Sequence, residues 1–113
     1  MSISCKGYGE NVLTFSTNIT GAGVPVAVNG NNSVEPAPAD KDFIGITTYA
    51  DGEIAGVFID GYVEVPYTGT TPSFGFTALV SDGSNGVKTS TTSNHFVKVV
   101  YTDPAKRIVG FIL

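Results

Sequence analysis

The 113-residue sequence predicts an all-β fold: one small β-barrel or β-sandwich domain built from hairpins, preceded by an extended N-terminal arm. Three observations carry that prediction. The chain has 14 Gly and 6 Pro but a single Met, and its Thr, Val and Ser far outnumber its helix formers. Apolar residues alternate with period two, most clearly from Ala55 to Val65. Tight-turn pairs, Asn29-Gly30, Asp51-Gly52 and Asp82-Gly83, punctuate those runs at hairpin spacing.

Residues 1–11 are polar and contain Gly7-Tyr8-Gly9, which reads as an arm outside the packed body, either loose or ordered by a partner. Residues 12–113 make the β domain. Val12 to Phe15 is a short first strand, and Gly21-Ala22-Gly23 turns the chain into Val24 to Val28, where Val24, Val26 and Val28 share a face. Pro25 lacks an N–H and suggests an edge position for that strand. Asn29 to Asn32 is a hairpin turn, Ser33 to Glu35 a minor strand, and Glu35 to Asp42 an extended connector set by Pro36 and Pro38.

Phe43 to Pro66 is the centre of the chain and reads as a hairpin turning at Asp51-Gly52. On its long return strand Ala55, Val57, Ile59, Gly61, Val63 and Val65 form a wholly apolar side, so this side belongs in the core. Pro66 ends the strand or marks an edge. Tyr67 to Phe76 has no period. Phe74 and Phe76 either plug the end of the barrel or sandwich, or form an aromatic contact surface. Thr77 to Val80 pairs with Val87 to Ser90, and Phe96 to Thr102 pairs with Arg107 to Leu113 across a Pro104 turn. A shift of 53 residues lays Phe43 on Phe96, Ile46 on Val99 and Phe58 on Phe111, which predicts two hairpins in equivalent places of one core.

Net charge is −4, with no basic footprint of the kind a nucleic-acid binder needs. The charge is split. Residues 1–66 hold eight acids against Lys6 and Lys41 (−6), and residues 67–113 hold Asp82 and Asp103 against four bases (+2). Such a split favours head-to-tail contact between copies, or is simply a set of solvated charges. No apolar run reaches the ~20 residues a spanning helix needs, and Met1 to Asn11 has no apolar leader core. We expect no membrane partner and synthesis in a cytoplasm. Cys5 is alone, so no disulfide forms within the chain.

No catalytic constellation is expected. His95, the only histidine, has no carboxylate near it in sequence and reads as a surface or capping residue. The acid pairs Asp40/Asp42, Asp51/Glu53 and Asp60/Glu64 lie in a connector, at a turn and along one strand, not across a cleft. Asp82 to Gly86 resembles a calcium loop faintly but lacks the closing Glu, so a hairpin turn explains it better. We expect no cofactor and no metal.

The order of features resembles the small capsid decoration, or cement, proteins of tailed phages and prophages. The residues that carry it are Val24 to Val28, Phe43-Ile44-Gly45-Ile46, Ala50 to Glu53 leading into Ile54 to Val57, Gly61 to Pro66, and the closing Arg107 to Leu113. The Thr- and aromatic-rich Thr68 to Phe76 and the Gly7-Tyr8-Gly9 arm depart from the family pattern. The resemblance implies a protein without an active site, bound to the major capsid protein on the outer surface of the virion head and stabilising it. It also implies a homo-oligomer, trimer or dimer, to match capsid symmetry. Contacts with capsid or protomer would come from the two stretches outside the β core: Tyr8 and Glu10 of the arm, and Tyr67, Pro72, Phe74 and Phe76 of the loop. The rival reading is a carbohydrate- or cell-surface-binding β module of a fibre or adhesin, with Tyr62, Tyr67 and Phe74 as a sugar platform.

Overall fold

A computed structural model describes residues 11–113. Ten strands follow in order: β1 (Asn11–Thr17), β2 (Pro25–Gly30), β3 (Ser33–Pro36), β4 (Gly45–Ala50), β5 (Ile54–Asp60), β6 (Tyr62–Pro66), β7 (Gly75–Ser81), β8 (Val87–Thr89), β9 (Phe96–Asp103) and β10 (Ile108–Ile112). No helix occurs among the described residues, so none there is long and apolar enough to cross a membrane. The fold is all-β, as its composition and alternation dictate. Asn11 belongs to β1, one residue earlier than the predicted arm boundary; the rest of the arm lies outside the described residues.

The first five strands close a barrel in the order β1-β3-β2-β4-β5, and the last five form an open sheet in the order β6-β10-β9-β7-β8. Hairpins supply most of the pairing, but the barrel closes through a parallel contact of β1 with β3, Ser16 opposite Ser33 and Thr17 opposite Val34. Thr17 fastens this seam: its Oγ1 donates to the Val34 carbonyl at 3.0 Å and accepts the Ile19 N–H at 3.1 Å. Thr47 does the same beneath the Gly21 turn, accepting the Val24 N–H at 2.9 Å and donating to the Gly21 carbonyl.

The predicted return strand is two strands. Gly61 takes φ +105°, a region that side chains with a Cβ avoid, and breaks the run between β5 of the barrel and β6 of the sheet. The apolar side holds on both sides of the break but serves two cores. Ala55 and Val57 lie inside the barrel with Ile19, Val24, Val26, Val34 and Ala50. Val63 and Val65 join Leu79, Val97, Val99, Val109 and Phe111 in a larger cluster, where the sheet packs on Phe43 and Ile46. Ile59, beside the break, is only half-buried.

Two further expectations are corrected. β2 lies between β3 and β4, not at an edge; Pro25 is tolerated because it is the first residue of its strand, where a missing N–H costs least. The two hairpins related by 53 residues are not equivalent. The first lines the barrel and the second the open sheet, and Phe43 is buried while its counterpart Phe96 is 57% exposed. Pro66 does close an edge strand, β6.

Candidate interaction surface

Tyr67 to Phe76 is fixed to the body at several points. The Tyr67 N–H donates to the Arg107 carbonyl at 3.0 Å and the Thr68 N–H to the Val87 carbonyl at 3.0 Å. Arg107, itself held in the left-handed region at φ +55°, closes over this start of the loop. Its guanidinium lies 4.8 Å from the Tyr67 ring centroid and donates to the Gly69 carbonyl at 2.5 Å. Tyr67 Oη and Thr71 Oγ1 share a hydrogen bond of 2.9 Å, and at the far end Thr77 Oγ1 donates to the Ser73 carbonyl at 2.8 Å.

These bonds divide the predicted contact residues. Tyr67 is 1% exposed and Pro72 is buried, so neither offers a contact surface; both hold the loop down. Phe74 and Phe76 are 69% and 76% exposed, so they do not plug the barrel or the sheet. Gly75, at φ +87°, sits between them and interrupts the strand alternation as β7 begins. Tyr8 and Glu10 lie outside the described residues. The sugar platform suggested by Tyr62, Tyr67 and Phe74 does not form, because Tyr62 is buried too, its hydroxyl donating to Glu64 at 2.7 Å.

The sequence reading missed the continuation of this surface across the open sheet. β7 pairs with β9 so that Phe76 stands opposite Lys98 and Ala78 opposite Phe96, and β10 sets Ile112 on the other side of Lys98. Phe96, Val100 and Tyr101 are all more than two-fifths exposed. The signal was present in the sequence. Lys98 is two residues from Phe96, and a strand face that carries a lysine faces water.

The other candidates make contacts within the fold. His95 is half-buried; its Nδ1 donates to the Leu79 carbonyl at 2.9 Å, and its ring meets Phe43 edge-on with centroids 4.6 Å apart. Asp40 pairs with Lys88, and Asp42 accepts from Ser93 Oγ at 2.6 Å. Asp51 binds its own turn, accepting the Glu53 and Ile54 N–H groups at 2.9 Å each and the Tyr49 hydroxyl at 3.0 Å. Its carboxyl is held below the usual carboxylate range, first by the Ile54 and then by the Glu53 backbone bond, with Tyr49 third; the same contact raises the Tyr49 phenol. Asp82 Oδ1 accepts the Ser84 and Gly86 N–H groups at 2.7 and 3.1 Å, the hairpin role expected of it.

Among the described residues no three His, Cys, Asp or Glu side chains converge as a metal site. A polar groove of about 520 Å³ lies beside the short β1–β3 seam, with Glu35 and Glu53 among Ser16, Asn18, Asn29 and Ser33. A shallower one of about 330 Å³ lies between Ile46, Phe58 and Val63. The chain matches no protein-family model and no curated protein.

Proposed function

We propose that this chain is a capsid decoration protein of a tailed phage or prophage, made in the bacterial cytoplasm and bound to the major capsid protein on the outside of the assembled head. The observation that carries the reading is the fixed loop with Phe74 at its surface. A large apolar side chain, 69% exposed, is displayed by a backbone secured at Tyr67, Gly69, Ser73 and Thr77. Such a group loses little conformational freedom on docking, so most of its burial appears as affinity. Aromatic anchors of this kind carry much of the energy of protein interfaces. The proposed role asks no catalytic group of the chain. Many copies, each adding a modest contact, stabilise an assembled shell through mass action.

The test mixes purified protein with undecorated heads of the major capsid protein from the same genome and measures occupancy after sedimentation. Saturable binding by the wild type is expected, with Phe74→Ser weakening it by about tenfold or more. Deleting residues 1–9 in a second variant measures the share of the arm. Absence of wild-type binding to heads refutes the proposal.

A further inference from the structure

Two Asn-Gly pairs occur in the chain, Asn29-Gly30 and Asn85-Gly86, and their surroundings in the fold are opposite. Asn-Gly is a chemically unstable pair, because glycine has no side chain to shield its backbone nitrogen from the asparagine amide carbon. At Asn85 the fold blocks that attack. The Gly86 N–H donates to Asp82 Oδ1 at 3.1 Å, and the Gly86 carbonyl accepts the Asp82 N–H at 3.0 Å, so Asp82 holds this glycine through both its backbone groups. Gly86 is also buried, and a Cβ built on it would fall 2.6 Å from Asp82 Oδ2 and 2.9 Å from the Pro66 carbonyl oxygen. Asn29 and Gly30 are instead exposed at the end of β2. The β2–β3 ladder slips there: Val28 pairs with Val34 and Gly30 with Ser33, so Asn29 faces no partner residue. Its side-chain amide makes no hydrogen bond among the described residues. A Cβ built on Gly30 would meet nothing nearer than Ser33 Cβ, at 3.9 Å.

We propose that Asn29 is a modification site: it deamidates spontaneously in the folded protein, while Asn85 is spared. The Gly30 backbone nitrogen gives its proton to water or hydroxide and attacks Asn29 Cγ. The N–Cγ bond forms, the Cγ–Nδ2 bond breaks, and the amide nitrogen takes up a proton and leaves as ammonia. Water then opens the five-membered imide at either carbonyl, giving aspartate or isoaspartate. The position gives the reaction a consequence. Both products add a negative charge to the groove that Asn29 lines with Glu35 and Glu53, neither of which has an ion-pair partner among the described residues. Isoaspartate also routes the main chain through its side chain, one methylene longer, between Val28 and the turn at Asn31 and Asn32. That turn bears the Asn32 carbonyl, which accepts the Ser16 N–H at 2.7 Å in the seam that closes the barrel on two residue pairs. Deamidation therefore loosens the seam, and it does so whether or not the chain binds a head.

The test holds the purified full chain in warm, mildly alkaline buffer and follows tryptic peptides by tandem mass spectrometry, with a zero-time sample as baseline. The peptide of residues 7–41 carries Asn29, and that of residues 42–88 carries Asn85 as its only asparagine. In the folded protein Asn29 is expected to convert about tenfold or more faster than Asn85, the factor that a hydrogen bond to a charged acceptor supports. In concentrated urea the two rates converge, because the protection of Asn85 belongs to the fold. Gly30→Ala shields the attacking nitrogen and slows conversion at Asn29 while circular dichroism stays native. Methyl transfer by an isoaspartate-specific methyltransferase counts the rearranged product. Converted protein, separated by anion exchange, melts roughly 4–8 °C below unconverted protein, and Gly30→Ala incubated alongside keeps its Tm. Equal rates at the two sites in the folded chain, or Asn85 reacting first, overturn the proposal. So does converted protein that melts with the unconverted.

Discussion

Replacing Gly45 with alanine tests the packing of β4 on β5. A Cβ built on Gly45 falls 2.1 Å from the Phe58 carbonyl oxygen and 2.7 Å from Val57 Cγ1, with the Phe58 carbonyl carbon at 3.0 Å. Ordinary contact with such atoms begins near 3.4 Å, so the β5 backbone must retreat by about 1 Å. Two of the three atoms are main chain, and they cannot rotate away. Ile46 pairs with Phe58 and Thr47 with Val57, so the retreat strains the ladder that joins the two strands. Overpacking costs roughly 1–3 kcal/mol and a weakened ladder bond about 1 kcal/mol more, which together give about 3 kcal/mol. For a domain of this size that lowers Tm by roughly 12–24 °C. Gly30→Ala is the control: its nearest atom is Ser33 Cβ at 3.9 Å, and it should stay within about 0.5 kcal/mol of wild type. Thermal melts followed by circular dichroism decide it. If Gly45→Ala melts with Gly30→Ala, the close approach of Gly45 to β5 is wrong.

His95→Ala should lose about 1–2 kcal/mol in urea titrations, from one hydrogen bond and one edge-on aromatic contact, and His95→Phe should recover part of it by keeping the ring. A fully neutral His95→Ala would return that residue to the surface role its sequence context suggests. Asp51→Ala should reduce stability at neutral pH and matter less in acid. A carboxyl lowered in the folded state stabilises above its unfolded pKa of about 3.9, and that contribution is lost as pH falls through the folded value. A gap between wild type and variant that is the same at pH 3 as at pH 7 (~4 units apart) would show that the charge plays no part.

Much of this architecture is legible in the residues, and the failures have physical causes. Asp51-Gly52 locates its hairpin because Gly52 takes the positive φ, +90°, that a tight turn demands. The hairpin signalled by Asn29-Gly30 turns two residues later, on Asn31 and Asn32 with Asn32 at φ +55°, and Asn29 and Gly30 stay in β2. Gly61 escapes notice because the alternation stays in phase across it. Ala55 and Val57 before it, and Val63 and Val65 after it, are all apolar, and period two does not reveal that the sheet has changed. The parallel β1–β3 seam rests on two residue pairs between segments far apart in sequence, too little to leave a pattern. In the loop, Tyr67 and Phe74 look alike in sequence. One is buried and the other displayed because Tyr67 packs into the larger core cluster, with Arg107 over its ring, while Phe74 belongs to neither cluster.

The two cores share a wall, and this decides how the domain unfolds. In β4 and β5 the pair Ile46–Phe58 faces the larger cluster, while the neighbouring pair Thr47–Val57 faces the barrel interior. Loosening the barrel therefore removes the surface on which the open sheet packs, so one cooperative transition is expected despite two clusters. Val57 and Val109 are each fully buried, one in each cluster. Val57→Ala and Val109→Ala should each cost about 2 kcal/mol by the loss of two methyl-sized groups from a packed site. Native-state amide exchange separates the possibilities. With a shared wall, Val57→Ala lowers the protection of β10 by the same free energy as that of β5, because both exchange through one global opening. Protection lost in the barrel strands alone, with β9 and β10 unchanged, would mean that the open sheet stands without the barrel and that the wall is not the common support.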